Sequence, residues 1–298
     1  MTSPRRAHAV GPPPADLAVV IVNYNAGEYL RRCLASLEAN RGDINIDVLV
    51  IDNASKDGSF QAAMTSRPAV RLLANPDNRG LSAAWNQGID ETTAPYVLFL
   101  NPDAEMWRGT LAEYVKVARE HPDAGIVGPL IRNPDGTVYP SGRLLPSVRD
   151  AVAHAFLGTL APGNRFTRRY HMDGWDRTTE REVDWVSGAA MLVPRALFES
   201  VGVFDESFFL YAEELDMATR LRGAGWTVLF TPRVEIIHEI GVSTGHSRRM
   251  LVMHSTSAYR YYRKHRAVGW RRLTLPFAWS ALRLRAELEW ARARAWPR

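Results

Sequence analysis

Two acidic segments, far apart in the chain, carry the residue types from which a reaction centre could be built. The first is Val97-Leu98-Phe99-Leu100-Asn101-Pro102-Asp103, an apolar run that ends in a carboxylate. The second is Phe208-Phe209-Leu210-Tyr211-Ala212-Glu213-Glu214-Leu215-Asp216, where three acids open a helical pattern. A carboxylate just past the C-terminal end of a parallel strand can hold Mg2+ or Mn2+ against a diphosphate. Acids at a helix start can face the same cleft, and one of them can take a proton from a hydroxyl as general base. Asp52 ends another apolar run, Ile46 to Ile51. Its carboxylate could accept hydrogen bonds from a pyrimidine N–H or a ribose hydroxyl, or could cap the turn that follows. His238 closes the run Val234 to Ile237. It could be a satisfied core histidine or an imidazole ligand to a divalent ion.

These residues need a scaffold that brings strand ends together, and the periodicity supplies one. Leu17 to Val22, Ile46 to Ile51, Val70 to Leu73 and Tyr96 to Leu100 read as buried strands. Helical spacing fills the gaps at Glu28 to Leu37, at a short helix opened by Lys56-Asp57-Gly58-Ser59, and at Leu81 to Ile89. This alternation predicts an α/β fold with a doubly wound parallel sheet covered by helices. Further on, Leu111 to Arg119 reads as a helix and Gly125 to Pro129 as a strand, and Asn133-Pro134-Asp135-Gly136 reads as a hairpin turn. Val183 to Val193 reads as a strand interrupted at Ser187-Gly188, Glu213 to Gly223 as a helix, and Trp226 to Phe230 as a strand. The stretch 146–181 reads as a variable, partly helical excursion.

Bulk properties narrow the class. The chain has 298 residues, 46 % apolar and 23 % charged, enough for a folded core, and no apolar run approaches the roughly 20 residues of a membrane span. Residues 1–16 hold four prolines, Arg5 and Arg6 without an apolar stretch, and read as a disordered tail. The single cysteine, Cys33, lies in a helical pattern and reads as a core thiol, which places the chain in a reducing, cytoplasmic compartment. The net charge is +5, but Arg260 to Arg298 alone carries +9, so the rest of the chain carries −4. A strongly basic tail fits an anionic partner such as lipid headgroups, a polyprenyl phosphate or nucleic acid.

Five segments appear in a fixed order: Val20-Ile21-Val22-Asn23-Tyr24-Asn25; Ile51-Asp52-Asn53-Ala54-Ser55-Lys56-Asp57-Gly58-Ser59; Asn78-Arg79-Gly80 with Asn86; Leu100 to Asp103; and Phe209 to Asp216. Together they resemble the inverting family 2 glycosyltransferases of the GT-A fold, a Rossmann-like mixed sheet. The segments Gly128 to Ser141 and Trp185-Val186-Ser187-Gly188 are similar, more narrowly, to actinobacterial rhamnosyltransferases that add L-rhamnose to a polyprenyl-diphosphate-linked N-acetylglucosamine. The resemblance implies a catalytic domain over 17–245, with a nucleotide-binding half at 17–104 and an acceptor half at 105–245, and a basic helical extension at 246–298.

It also implies roles. Asn23, Asp52 and Arg79 would bind the nucleotide, and Asn101 and Asp103 the nucleotide sugar. Asp103 would hold Mg2+ or Mn2+, with His238 as a second ligand. Asn101 stands where the family's first motif acid would be, one carboxylate fewer. Glu214 would be the base, with Glu213 and Asp216 positioning acceptor or metal. Trp185, Ser187 and Gly188 would line the acceptor cleft. The donor implied is dTDP-L-rhamnose, and a hexosyl or galactofuranosyl transferase of the same family is the alternative.

The tail, Phe277 to Trp296, reads as a helix with two apolar stripes. Leu275, Trp279, Leu282, Ala286, Trp290 and Ala293 form one, and Phe277, Leu284, Leu288, Ala291 and Ala295 the other. Such a helix can pack on the body with one stripe and meet the inner face of the cell membrane, or a second copy of the chain, with the other. A nucleic-acid-binding protein, the reading from another class, leaves the acidic body and its strand-end aspartates unexplained.

Overall fold

Alternation along the first strand decides how the sheet is covered. In β1 (Leu17–Asn23), Leu17, Val19 and Ile21 pack against Leu30, Cys33, Leu34 and Leu37 of helix α1 (Glu28–Ala39). Val20 and Val22 point the other way, onto Ala84, Trp85 and Ile89 of α3 (Leu81–Glu91). Both faces are buried, so the strand is apolar throughout rather than alternating with polar residues. The computed structural model describes residues 14–65, 69–145, 164–170, 172–239 and 247–295. The expected disordered tail falls mostly outside them, as does most of the 146–181 excursion.

Parallel strands β2 (Ile46–Asp52), β3 (Val70–Ala74) and β4 (Tyr96–Leu100) flank β1 in the order β3-β2-β1-β4, and α2 (Ser59–Ala63) lies between β2 and β3 in the chain. Beyond β4 the sheet turns mixed. β9 (Ala190–Pro194) runs antiparallel to β4 and is followed by β6 (Ala124–Arg132), β10 (Thr227–His238) and β5 (Ala104–Arg108). Helix α4 (Leu111–Glu120) packs beside β9 and β10. The hairpin turn at 133–136 joins β6 to β7 (Val138–Tyr139) as its sequence implied.

Three sequence readings change. β5, directly after Asp103, had no periodic signal of its own in five residues. The interrupted strand at 183–193 is two strands, β8 (Arg181–Val183) on β10 and β9 on β4, with Ser187-Gly188 in the loop between. The runs at 226–230 and 234–237 are one strand. β10 bulges between Thr231 and Glu235, around Pro232, so its first half pairs with β8 and its second half with β5.

Short helices α5 (Arg165–Tyr170) and α6 (Ala196–Val201) precede α7 (Glu213–Gly223). Then α8 (Arg248–His265), a 3-10 turn (Gly269–Thr274) and α9 (Leu275–Ala295) complete the described chain. The junction of α7 and α8 is ionic. Asp216, fully buried, accepts from Arg220 Nε at 2.9 Å and contacts Lys264 Nζ and His265 Nε2, each at 2.7 Å. Burial opposes ionisation of Asp216, but hydrogen bonds from His265, Lys264 and Arg220 outweigh it and hold the carboxyl below its usual range. Asp216 therefore docks the tail and does not line the cleft described below, contrary to the catalytic position its sequence neighbours implied.

Replacing Asp216 by Asn leaves three donors around a neutral amide. A loss of about 3 kcal/mol in urea unfolding at neutral pH is expected. Because the folded carboxyl is more acidic than the unfolded one, this contribution is present above about pH 4 and lost as pH falls below it. Unfolding curves of wild type and Asp216→Asn should therefore converge in acid; a constant gap would assign the loss to packing instead.

Candidate active site

The C-terminal ends of β1, β2 and β4, the start of α7 and the loop before β9 surround a cleft of about 1040 Å3, closed on its outer side by α8 and α9. Strand ends in an open sheet leave backbone groups and short polar side chains facing such a cleft. Asn101, Asp103, Trp185, Ser187, Gly188, Glu213, Glu214 and His238, all singled out in the sequence, line it.

Asp103 is buried, and its Oδ1 lies 3.2 Å from His238 Nε2. The Asn101 amide lies 3.3 Å from the same nitrogen. This pairing exists because β5 and the end of β10 run side by side, with His238 opposite Ala104. Two cis ligands of an octahedral ion bound at about 2.1 Å stand about 3 Å apart, so the Asp103–His238 separation suits a shared Mg2+ or Mn2+. Among the described residues no group of three His, Cys, Asp or Glu is arranged for a metal. An ion here would take its other ligands from diphosphate oxygens and water.

The acidic pair is held on strained backbone. Tyr211 and Ala212, directly before α7, both have positive φ, 70° and 68°. Two consecutive non-glycine residues in the left-handed region cost energy and persist only where surrounding structure imposes them. That imposition comes from α3. Asn86 donates to the Phe204 carbonyl at 2.9 Å and accepts from the Phe204 N–H at 3.0 Å. Ser82 donates to the Phe208 carbonyl at 2.7 Å, and the Leu81 N–H to the Phe209 carbonyl at 2.7 Å. At Gly80, φ is +84° and a Cβ would lie 2.6 Å from the Phe209 oxygen, so only glycine fits. The motifs Asn78-Arg79-Gly80…Asn86 and Phe209 to Asp216 are thus two sides of one clamp.

Glu213 and Glu214 each present a buried Oε2 with no hydrogen-bond partner among the described residues. Burial, then the neighbouring Glu214, pushes Glu213 well above the usual carboxylate range. Burial also raises Glu214, while its own backbone N–H and the Arg143 guanidinium oppose the rise. Gly188 faces this pair, with a Cβ position 3.9 Å from the Glu214 carboxyl carbon.

Arg143 was not anticipated. Its guanidinium lies 4.9 Å from the Trp185 ring centre, 5.0 Å from Tyr139 and 5.6 Å from Tyr170. Backbone bonds between Arg143 and Trp185, at 3.0 and 3.2 Å, fasten the two segments together. Neighbouring aromatic faces hold the charge without a carboxylate. Arg143 gave no local signal, since its three rings come from residues spread over 139–185.

The nucleotide side is a polar network beneath the floor. Asn23 donates to Asp52 Oδ1 at 2.6 Å and to Ser59 Oγ at 2.8 Å, and the Ser55 N–H donates to Asp52 Oδ2 at 2.9 Å. Asn23 and Asp52 are buried, and Arg79 is exposed nearby in the chain; the cleft surface there is Val22, Tyr24 and Asn53. Asn53, which bonds the Gly80 carbonyl at 3.2 Å, links this network to the clamp.

The sequence model for glycosyl transferase family 2 matches residues 18–197. The chain is 37 % identical, over 91 % of its length and 92 % of the relative's, to the N-acetylglucosaminyl-diphospho-decaprenol L-rhamnosyltransferase of Mycobacterium tuberculosis. It is 26 % identical to the rhamnosyltransferase WbbL of Escherichia coli K12, over 74 % of this chain and 82 % of the other. Among solved structures, the mannosyltransferase PcManGT of Pyrobaculum calidifontis, in complex with GDP-Man and Mn2+, superposes with a TM-score of 0.58. That match has 18 % identity and spans 98 % of this chain and 79 % of the other. GalNAc-T7 with UDP, GalNAc and Mn2+ gives the same TM-score at 15 % identity, over 93 % and 54 % of the two chains. The fold is thus that of GT-A transferases.

Asn86→Ala strands the Phe204 N–H and carbonyl and should cost about 2–4 kcal/mol in thermal or urea unfolding. Transferase turnover, measured well below the melting temperature, should also fall, because the acids lose their fixed position. Normal turnover in the folded variant would separate the clamp from the acids.

Proposed function

This chain belongs to glycosyl transferase family 2, and on that premise we propose that it transfers L-rhamnose from dTDP-L-rhamnose to a polyprenyl-diphosphate-linked N-acetylglucosamine, with inversion. The observation that carries the reading is the meeting, in one cleft, of the Asp103–His238 pair with the buried Glu213–Glu214 pair. The 37 % identity to a decaprenol-linked rhamnosyltransferase supports the choice of sugar and acceptor.

Each group has a task. Asp52, braced by Asn23 beneath the cleft floor, would back the nucleobase site whose surface is Val22, Tyr24 and Asn53. Arg79, exposed between the cleft-lining Asn78 and Gly80, would meet nucleotide phosphate or ribose. Mg2+ or Mn2+, held by Asp103 and His238, would supply positive charge against the departing diphosphate. Asn101, whose amide lies 3.3 Å from the same His238 nitrogen, would turn to the nucleotide sugar once that nitrogen holds the ion. Burial raises both acids, and Glu214, the one beside the Arg143 guanidinium and facing Gly188, is the proton acceptor of the pair. Glu214 removes the proton of the acceptor hydroxyl, which attacks opposite the diphosphate. Trp185, Ser187 and Gly188 hold the acceptor sugar beside it, and no covalent intermediate is needed.

The membrane is the second partner. Among the described residues no helix is long and apolar enough to cross a bilayer. Yet Trp270, Leu273 and Phe277 are 74, 78 and 78 % exposed, next to the exposed Arg271 and Arg272. On α9, Ala286 is buried while Phe277, Leu284 and Leu288 face outward, so one stripe packs and the other is free. Apolar side chains flanked by arginines fit an anionic lipid surface at the cytoplasmic face.

Glu214→Gln should lower kcat by about 10²–10⁴ while donor binding persists. In the wild type, kcat/KM should climb with pH along a limb placed above the ordinary carboxylate range, since the base works only when ionised. Turnover near normal in the variant would move the base elsewhere.

A donor panel assayed by nucleoside diphosphate release, with a GlcNAc-diphospho-lipid acceptor, tests the reaction itself. dTDP-L-rhamnose should lead, UDP-L-rhamnose should follow, and hexose donors should trail by roughly 10–200-fold where an apolar wall prefers a methyl group. EDTA should stop transfer, with Mg2+ or Mn2+ restoring it, and Asp103→Ala should impair donor binding and turnover together. Faster use of UDP-glucose or UDP-galactose would leave a family 2 transferase of another specificity. Full activity in EDTA would remove the metal.

Leu273→Glu and Phe277→Glu should weaken binding to vesicles containing phosphatidylglycerol by about tenfold or more, and added salt should weaken wild-type binding. Unaltered vesicle binding, with a change in oligomeric state, would assign the surface to contact between copies of the chain.

A further inference from the structure

The proposed acceptor carries, beside its reacting sugar, a diphosphate and a long apolar chain. Asp103 and His238 serve the donor, and the acids at the start of α7 repel phosphate, so neither offers a place for this second diphosphate. The opposite wall does. Arg249 and Arg266 of the α8 end regions and Arg285 of α9 line the same cleft as Glu214. Arg266 is the informative one: its Nε is buried and has no hydrogen-bond partner among the described residues. A buried guanidinium donor left unmatched is costly, and a phosphate oxygen is the acceptor that matches it best.

Between these arginines the wall is apolar, formed by Met250, Met253, Ala281 and Leu282. Phe277 both lines the cleft and is 78 % exposed. Phe277 adjoins the outward Leu273 and Trp270. One cleft therefore holds the acids, the half-buried Arg266 with its unmatched Nε, an apolar wall, and at Phe277 a side chain continuous with the surface proposed to meet lipid. These are the complements of the groups in a sugar-diphospho-polyprenol.

We propose that the α8–α9 wall is the acceptor's diphosphate–lipid subsite. Arg266 binds the diphosphate, and the apolar side chains of the same wall, Phe277, Ala281, Leu282, Met253 and Met250, take the first isoprene units. The proposal rests on the transferase reading above and adds to it the residues that distinguish a diphospho-lipid acceptor from a plain glycan.

The test compares full-length wild type, Arg266→Gln and Ala281→Glu, each checked for an unchanged melting profile. Two acceptors of equal chain length are used, a GlcNAc-diphospho-prenol and a neutral GlcNAc prenyl glycoside. Arg266→Gln should lower the ratio of kcat/KM for the charged over the neutral acceptor by about 10- to 100-fold, chiefly through acceptor KM. Ala281→Glu should reduce the advantage of a long prenyl chain over a short one. Binding of geranylgeranyl diphosphate alone, followed by tryptophan fluorescence without donor or metal, should weaken about tenfold or more in Arg266→Gln. An unchanged acceptor ratio with unchanged geranylgeranyl diphosphate binding would overturn the subsite. So would a loss seen mainly in donor KM, which would give Arg266 to the donor. Failure of wild type to glycosylate either acceptor, while it still binds geranylgeranyl diphosphate, would sink the transferase reading and keep the subsite's anion–lipid chemistry.

Discussion

The backbone clamp between α3 and residues 204–209 is the constraint on which the site depends. Asp103 leaves one strand and Glu214 opens a helix more than a hundred residues later, and nothing covalent sets their separation. Asn86, Ser82, the Leu81 N–H and the contact at Gly80 do so, by fixing the carbonyls of Phe204, Phe208 and Phe209. α3 is itself seated on β1, with Trp85 packed 5.1 Å from Phe99 and 4.9 Å from Phe204. The ring stack and the backbone bonds act on the same segment from the same helix. The left-handed turn at Tyr211-Ala212 is then the remaining path into α7, and its strain is borne by these contacts.

With the geometry fixed, the electrostatics follow from what is left out. Glu213 and Glu214 sit side by side in apolar surroundings with unsatisfied oxygens, an arrangement that folding alone would disfavour. The penalty is what raises a carboxylate toward the pH at which it can take a hydroxyl proton. Arg143 limits that rise without an ion pair among the described residues, its charge being shared with three aromatic faces. A direct salt bridge would have made Glu214 a weak base. Asp216, two residues on, shows the contrast: surrounded by Arg220, Lys264 and His265, it is held ionised and serves structure. Three acids within four positions have different roles because their neighbours differ.

How much of this could be read in the chain tracks how local each cause is. The strands that end in Asn23, Asp52 and Asp103 were legible because burial on both faces makes continuous apolar runs, and a run's end marks the cleft side of the sheet. Glu213 and Glu214 were legible as acids at a helix start. The structural setting of Asp216 was not legible, since beside Arg220 on its own helix its partners Lys264 and His265 lie in α8, beyond any sequence pattern. β5 has only five residues, and β10's bulge at Pro232 broke one strand into two apparent runs. The Arg143 cage assembles Tyr139, Tyr170 and Trp185 from three elements, and no spacing rule reports that. The two stripes of α9 were legible, because helical periodicity within one element is the strongest signal a sequence carries. That α9 closes the cleft, through Ala278, Ala281, Leu282 and Arg285, was not.

That closure alters the meaning of the basic extension. Ser257 of α8 donates to the Leu210 carbonyl at 2.7 Å, and Thr219 of α7 meets Tyr261 at 2.9 Å. The segment leading into the acids is therefore gripped from two sides, by α3 near Phe204–Phe209 and by α8 at Leu210. The second grip belongs to the same helix pair that supplies Arg266 and the apolar strip. A helix pair serving only as a membrane tether would need neither a bond to Leu210 nor an ion cluster at Asp216. One serving only as a cleft wall would not leave Trp270, Leu273 and Phe277 in solvent. Both features in one element are what a transferase needs if its acceptor stays anchored in lipid while its sugar reacts: the surface that meets the membrane must be rigidly continuous with the surface that positions the base.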